Sequence, residues 1–197
     1  GLLTVHGEPV HEIVQLALAL GVQSVFAAHD YDPAAIERDR QVLGALAHSG
    51  IAMHTVKDHV VLEGRELLTR TGTPYTVFTP YKKAWLARLE PAHVAACRQD
   101  GLPGRLAPAG NVTMPSLASL GFERAALPLP AGMSGGASQW QDFQERLAGY
   151  AASRDFPALG ATSRLSVQLR FGTVSIRELV RYVRTRRSAG AEAWLSE

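Results

Sequence analysis

Three hydroxyl side chains and one arginine lie close together at the predicted start of a helix. Thr162 and Ser163 stand at this start, Arg164 follows them, and Ser166 lies one helical turn away. The free backbone N–H groups and the positive dipole end of a helix N-terminus attract phosphate. The hydroxyls and the guanidinium would strengthen that attraction. The spacing therefore indicates a phosphate cradle, and simple capping of the helix is the alternative.

A second polar cluster follows a predicted strand. His29, Asp30, Tyr31 and Asp32 come directly after the apolar stretch VQSVFAA. In open α/β sheets, ligands bind at the carboxyl ends of the parallel strands. The cluster is therefore a second candidate ligand site. Its alternative is a polar strand-to-helix loop in which Asp32 is the N-cap of the next helix.

Two further patterns lack the partners that their chemistry needs. Gly132–Gly136 matches the nucleophile pattern G-x-S-x-G, but a proline-rich stretch precedes it and no histidine follows His93. His54 and His59 are neighbours without a third ligand at a recognisable spacing. Cys97 is the only cysteine, which excludes a disulfide and a cysteine-based zinc site. We expect neither a hydrolase nor a metal site.

The composition is typical of a globular protein. Of the 197 residues, 46% are apolar and 19% are charged, which allows a sizeable core and does not favour extensive disorder. The absence of a membrane-length apolar run and of a targeting leader predicts a cytoplasmic protein without membrane contact. A net charge of +2 does not by itself indicate nucleic-acid binding. Arginines nevertheless crowd the last third, as a basic surface or a solvated helix face: Arg164, Arg170, Arg177, Arg181, Arg184, Arg186 and Arg187.

The N-terminal part alternates between strand and helix patterns. Pro9 and Pro33 occupy favourable first-turn positions of two helices, which Gly21 and Gly50 end. Short connections between alternating strands and helices predict a doubly wound parallel sheet. The predicted strands are Leu2–His6, Val22–Ala28 and Ile51–Val56.

The rest of the chain predicts a long connection followed by helices. Prolines and glycines recur from Gly72 to Gly136 and favour an irregular segment that wraps another domain. Ser138 with Gln141, and Ser175 with Glu178, are capping-box patterns that open two helices. Between them, the predicted helix from Thr162 or Ser163 breaks near Gly172. An apolar face at helical spacing follows the first box: Trp140, Phe143, Leu147 and Tyr150.

Three segments resemble the DNA photolyase and cryptochrome family. Tyr150–Val180 carries R-D-x-P, T-S-x-L-S and F-G-x-x-S-x-R in the order of the family's flavin-binding helical domain. Gly72–Leu86 is similar to the family segment Y-x-V-F-T-P-[FY]-x-x-x-W. His29–Val42 resembles the strand-end loop and R-D helix of the antenna domain. The resemblance implies a partial α/β antenna domain over residues 1–86, an interdomain linker over 87–137 and the start of an all-α FAD-binding domain over 138–197.

The resemblance also implies ligands for these residues. The T-S-x-L-S residues Thr162, Ser163, Leu165 and Ser166 would hold the FAD phosphates together with the backbone of Arg164, and Tyr150 would complete the site. Tyr150 also shares a helix face with Trp140 and Phe143, so packing is its alternative role. An antenna chromophore of folate or deazaflavin type would bind near His29, Asp30 and Tyr31. Arg154 would lie on the DNA-facing rim, with a surface ion pair to Asp155 or another acid as its alternative.

The function that the resemblance implies is photochemical. A photolyase repairs UV-induced cyclobutane pyrimidine dimers in DNA by transferring an electron from reduced FAD. The family's opening strand, its asparagine near the flavin and its tryptophan chain have no match, and Trp194 fits none of the family's tryptophan motifs. We therefore expect an internal fragment without catalytic residues, inactive alone, from a protein that is monomeric when intact. A cryptochrome-type photoreceptor and a nucleotide-binding α/β module are the alternatives.

Overall fold

A computed structural model describes residues 2–97, 101, 103–107, 114–126 and 128–197. The contacts divide the chain into two compact units. The α/β unit comprises Gly1–Asp58 and Arg98–Ala126, and the helical unit comprises His59–Cys97 and Leu127–Glu197. These two units do not begin and end at the predicted domain bounds, residues 86 and 137. Those domain bounds stay a prediction.

The α/β unit contains two parallel strands that pair in register. Ser24 lies opposite Ala52, and Ala28 lies opposite Val56. Asp32 caps the second helix, because its carboxylate accepts a hydrogen bond from the Ala34 N–H at 2.8 Å. The elements are α1 (Pro9–Ala19), β1 (Ser24–Ala28), α2 (Pro33–His48) and β2 (Ala52–Val56). Their shared core contains Ala17, Val42, Leu46 and Ile51. The two predicted helices and the second and third predicted strands are confirmed.

The strand predicted at Leu2–His6 is wrong. The sheet of the described residues has two strands, and no ladder includes this segment. Leu2 and Val5 are 71% and 54% exposed, so their apolar pattern does not lead to burial. A strand forms only where a neighbouring backbone completes its hydrogen bonds, and the pattern alone does not supply that neighbour.

The helical unit is built from six α-helices among the described residues. They are α3 (Phe78–Arg88), α4 (Gly132–Arg146), α5 (Tyr150–Ser153), α6 (Ser166–Arg170), α7 (Ile176–Arg184) and α8 (Ala189–Leu195). Ser175 caps α7 by accepting a hydrogen bond from the Glu178 N–H at 3.4 Å, as the pattern predicts. Ser188 caps α8 in the same way through the Ala191 N–H. The principal core contains Trp140, Phe143, Leu147, Tyr150, Leu165, Leu179, Val183 and Ala191.

The prediction of an irregular segment from Gly72 to Gly136 is wrong at two places. Helix α3 lies inside it, and Pro80 is tolerated there because it falls in the first turn, where N–H groups lack helical partners anyway. Helix α4 begins at Gly132, so Ser138 lies within the helix and is not its N-cap. The G-x-S-x-G pattern therefore belongs to a helical first turn.

Two glycines of α4 lie where the neighbouring atoms leave no room for a side chain. An ideal Cβ at Gly136 would lie 2.9 Å from Cγ1 of Val174, and one at Gly135 would lie 2.6 Å from the carbonyl oxygen of Pro130. Both glycines are buried. Tertiary packing thus overrides the low helix propensity of glycine at these positions.

The predicted helix at Thr162 or Ser163 begins later than expected, at Ser166. Arg164 has a φ of +53°, in the left-handed region that a right-handed helix cannot include. The helix ends at Arg170, and Gly172 follows with a φ of +63°, which confirms the predicted break.

Candidate functional site

The helical unit contains a cavity of about 550 Å³ that is partly open to solvent. Its walls come from residues 59–62, from α3, from the segment that opens α6, from α7 and from the end of α8. Trp85, Leu165, Val180 and Trp194 contribute apolar surface. The polar side chains are His59, Lys82, Ser163, Ser166, Ser196 and Glu197. A mostly apolar cavity with a few polar groups is the usual form of a cofactor site.

The T-S-R-L-S segment contributes three of its residues to this cavity. Ser163, Leu165 and Ser166 line it, whereas Thr162 and Arg164 do not. The Arg164 guanidinium folds back toward Gly160, where an ideal Cβ would lie 3.4 Å from its Nη2. Leu165 is 1% exposed and anchors the segment in the core. The structure therefore brings part of the predicted cradle together beside a cavity.

The hydroxyl groups of this segment do not cap the helix. The N-cap of α6 is Leu165, which has no capping side chain. In the part of the chain that the structure describes, no hydrogen bond engages the hydroxyls of Thr162, Ser163 or Ser166. Simple capping, the alternative explanation of the pattern, is therefore not what these side chains do.

Tyr150 lies outside the cavity lining. It is 7% exposed, and its ring packs edge-to-face against Phe143 with the centroids 5.9 Å apart. Burial raises the pKa of its phenol above the ordinary value, and the nearby carboxylate of Glu197 acts in the same direction. The nearby Arg154 guanidinium acts in the opposite direction and lowers that pKa. The packing role considered for Tyr150 is thus present in the structure.

Arg154 lies near Tyr150 and contacts a residue in the wall of the cavity. Its guanidinium forms an ion pair with Glu197, which lines the cavity, and lies 3.6 Å from Asp155. The hydrogen bond and charge of Glu197 raise the pKa of Arg154. The ion pair with an acid, considered as the alternative for this residue, is present, and its contact with DNA stays a prediction.

The His29–Asp32 cluster lies at the carboxyl end of β1, as predicted. The His29 Nε2 atom is 3.0 Å from the Thr55 hydroxyl. The Asp30 carboxylate accepts hydrogen bonds from the N–H groups of Tyr31 and Asp32, at 2.7 and 3.1 Å. The loop alternative explains Asp30 and Asp32, while Tyr31 remains 43% exposed. A bound antenna at this edge stays a prediction.

The sequence-based prediction of the site did not include the face of α3 that lines the cavity. Phe78, Tyr81, Lys82 and Trp85 all line the cavity. Their positions i, i+3, i+4 and i+7 are those of a single helix face, a signal that the sequence contains. It was obscured because the surrounding prolines favour an irregular segment.

Within the described ranges, no group of three or more His, Cys, Asp and Glu side chains is placed to hold a metal ion. The helices described there are also too short or too polar to cross a bilayer.

Comparison with known proteins identifies the family. A family model with the description DNA photolyase matches residues 1–99, half of the chain. The chain belongs to the DNA photolyase family. The family resemblance in the sequence is thereby confirmed. Members of this family bind a flavin and an antenna chromophore and act on UV-damaged DNA.

Individual relatives agree with this assignment. A deoxyribodipyrimidine photo-lyase from Synechococcus sp. is 35% identical over 184 residues, which cover 90% of this chain and 38% of that protein. A class III photolyase from Agrobacterium tumefaciens has a similar fold, with a TM-score of 0.77 and 22% identity over 96% of this chain and 41% of that one. A Synechocystis sp. cryptochrome gives a TM-score of 0.74 with 21% identity, covering 98% and 43%. The chain spans about two fifths of these proteins.

These similarities confirm the fold class in its coarser form. The architecture is photolyase- and cryptochrome-like, with helices and a small parallel sheet.

Proposed function

We propose that this chain forms part of a DNA photolyase that repairs UV-induced cyclobutane pyrimidine dimers with light and FAD. One observation carries the proposal. In a chain of the DNA photolyase family, the T-S-x-L-S segment presents Ser163 and Ser166 to an aromatic-lined cavity, and no internal hydrogen bond of the described residues engages their hydroxyls.

The donor set suits a phosphate-bearing aromatic cofactor. Ser163 and Ser166 supply hydroxyl donors, and the Arg164 and Leu165 backbone amides lie between them in the sequence. Lys82 adds a positive charge to the cavity wall, and the charge of Glu197 is balanced by Arg154. Trp85 and Trp194 offer ring surface to an aromatic group and exclude water. The residues present therefore fit FAD.

In the proposed site, this chain binds and orients the cofactor. The hydroxyls of Ser163 and Ser166 would donate to phosphate oxygens, and the apolar wall would keep water from the rings. Thr162 would contribute at the exposed edge, and Tyr150 would complete the phosphate site. The dimer would be flipped out of the duplex, and bound reduced FAD would supply the electron for its cleavage.

The remaining features of the intact protein complete the proposal. The α/β unit would be part of a doubly wound antenna domain, with a folate or deazaflavin near His29, Asp30 and Tyr31. The linker would extend over residues 87–137, and the FAD-binding domain would begin at 138. Arg154 would approach UV-damaged DNA. The intact protein would be a cytoplasmic monomer, and this part of it would not be catalytic alone.

A cryptochrome-type blue-light photoreceptor is the second candidate. The fold similarity to the Synechocystis cryptochrome, at a TM-score of 0.74, is close to the 0.77 of the class III photolyase. Both functions need the same cofactor cradle. The 35% identity to a photo-lyase over 90% of the chain favours repair.

Replacing both Ser163 and Ser166 with alanine is expected to weaken FAD binding. Each lost hydrogen bond to a charged phosphate oxygen costs about 1.5–3 kcal/mol, so losing both should raise the dissociation constant by at least about a hundredfold. The measurement is FAD titration of the protein expressed from its complete reading frame, followed by flavin fluorescence.

Ser138→Ala is the matched control. Ser138 is an exposed serine of α4 outside the cavity lining, so this variant should bind FAD like the parent protein. Equal FAD affinity in the Ser163/Ser166 double variant and in Ser138→Ala would refute the cradle.

A further inference from the structure

The loop that carries Ser163 has an unusual backbone. Among the described residues, Arg164 is the one residue other than glycine that has a positive φ, and its φ is +53°. L-residues seldom adopt this region unless surrounding contacts hold them in it. The turn directs the chain from the exposed Thr162 into Leu165, which is buried in the core. The direction of the two cavity-lining serines therefore depends on what maintains this turn.

Helix α4 holds the turn through a single amide group. The Gln139 Nε2 atom donates to the carbonyl oxygen of Ser163 at 3.0 Å and to that of Arg164 at 2.6 Å. Both partners are acceptors, so only the NH2 end of the side chain can face them. One glutamine thus binds the carbonyls on both sides of the left-handed residue.

A second glutamine supports the first. Gln168 is 3% exposed, and its Nε2 atom donates to the Pro130 carbonyl oxygen at 2.9 Å. It also lies 3.5 Å from the Gln139 Oε1 atom, a long contact. The Thr173 hydroxyl donates to the Gln168 Oε1 atom. Gln139 is therefore part of a polar network that joins α4 to α6.

Close packing of α4 brings Gln139 within reach of the loop. Gly136 lies one turn before Gln139, and an ideal Cβ there would be 3.1 Å from the Gln168 Oε1 atom. Two turns after Gln139, Arg146 donates to the Gly160 carbonyl oxygen at 3.1 Å. The same face of α4 therefore holds the loop at both ends.

We propose that Gln139 is a positioning residue for cofactor phosphate binding, because it holds the Ser163–Arg164 turn that directs Ser163 and Ser166 into the cavity. This inference rests on the proposed function. Gln139 touches the backbone of the cradle and does not line the cavity. Without its two donated bonds, Arg164 loses the contacts that hold it in the left-handed region. The loop would then relax, and the phosphate donors would no longer converge.

The test compares two flavins in the protein expressed from its complete reading frame. FAD carries a diphosphate, and riboflavin has the same ring system without phosphate. Gln139→Ala is expected to raise the dissociation constant of FAD by about tenfold, which corresponds to the loss of about one hydrogen bond. The dissociation constant of riboflavin should change little. Gln139→Glu keeps the size of the side chain but presents acceptors to two carbonyls, so the loss of FAD affinity should be at least as large.

Gln141→Ala is the control, because Gln141 is an exposed glutamine of the same helix. It should bind both flavins like the parent protein. Unchanged FAD affinity in Gln139→Ala, or an equal loss for both flavins, would overturn the positioning role. Absence of FAD binding by the parent protein would instead refute the proposed function, and this inference with it.

Discussion

Replacing Gly190 with alanine is expected to destabilise the helical unit by about 3 kcal/mol, the upper part of the usual range for an added atom in a packed core. An ideal Cβ at Gly190 would lie 1.9 Å from the Leu147 carbonyl oxygen and 2.6 Å from that of Ala148. Both are backbone atoms, which cannot move aside as the end of a flexible side chain can. Helix α8 would have to separate from the turn at residues 147–149.

Urea unfolding followed by tryptophan fluorescence measures this effect. Trp85, Trp140 and Trp194 are the three tryptophans of the chain, and all belong to the helical unit. Gly149→Ala is the control, because its φ is −83° and an ideal Cβ there meets nothing within 4 Å. A free energy of unfolding for Gly190→Ala within about 0.5 kcal/mol of the control, the usual effect of a neutral surface change, would contradict the close approach of α8.

Phe143→Ala is expected to lower the free energy of unfolding by about 3–5 kcal/mol, the range for removing a buried aromatic ring. Phe143 has no exposed surface. Its ring centroid lies 5.4 Å from that of Trp194 and 5.9 Å from that of Tyr150. The substitution would remove these contacts and leave a cavity at the centre of the principal core.

Phe171→Ala is the matched control for this experiment. Phe171 is 76% exposed, so the same change of side chain removes little buried surface there. Calorimetric or urea unfolding of the two variants should separate them clearly. Similar stabilities for Phe143→Ala and Phe171→Ala would show that the core is not centred on Phe143.

The elements predicted correctly are those whose signals are local. Asp32 and Pro33 specify the start of α2 through a side-chain cap and a fixed φ, and Gly50 ends it with a φ of +73°. Ser175 specifies the start of α7 in the same manner. Such signals act within one helical turn, so they survive in almost any tertiary context.

The errors occur where distant residues decide the local structure. Leu2–His6 has an apolar strand pattern, but the described residues provide no neighbouring strand that pairs with it. Gly135 and Gly136 disfavour a helix, yet the close approach of Pro130 and Val174 requires residues without a side chain. No local propensity contains that information.

The candidate site was predictable only in part for the same reason. The hydroxyl spacing of Ser163 and Ser166 indicates a phosphate cradle, and both residues line the cavity. The start of α6 is shifted because Arg164 adopts a positive φ, which depends on contacts from Gln139 in a different helix. The contribution of Trp194 to the cavity likewise depends on how α8 packs, which its sequence alone does not specify.

The most direct test of the central proposal is light-dependent repair. The protein expressed from its complete reading frame is mixed with DNA that contains cyclobutane pyrimidine dimers, reduced, and exposed to blue light or kept in the dark. We predict a protein that is yellow from oxidised flavin before reduction and that, once reduced, restores the dimers to pyrimidines only in the light. A protein that is colourless before reduction would contradict flavin binding, and a yellow protein without repair would contradict the photolyase assignment and favour a photoreceptor.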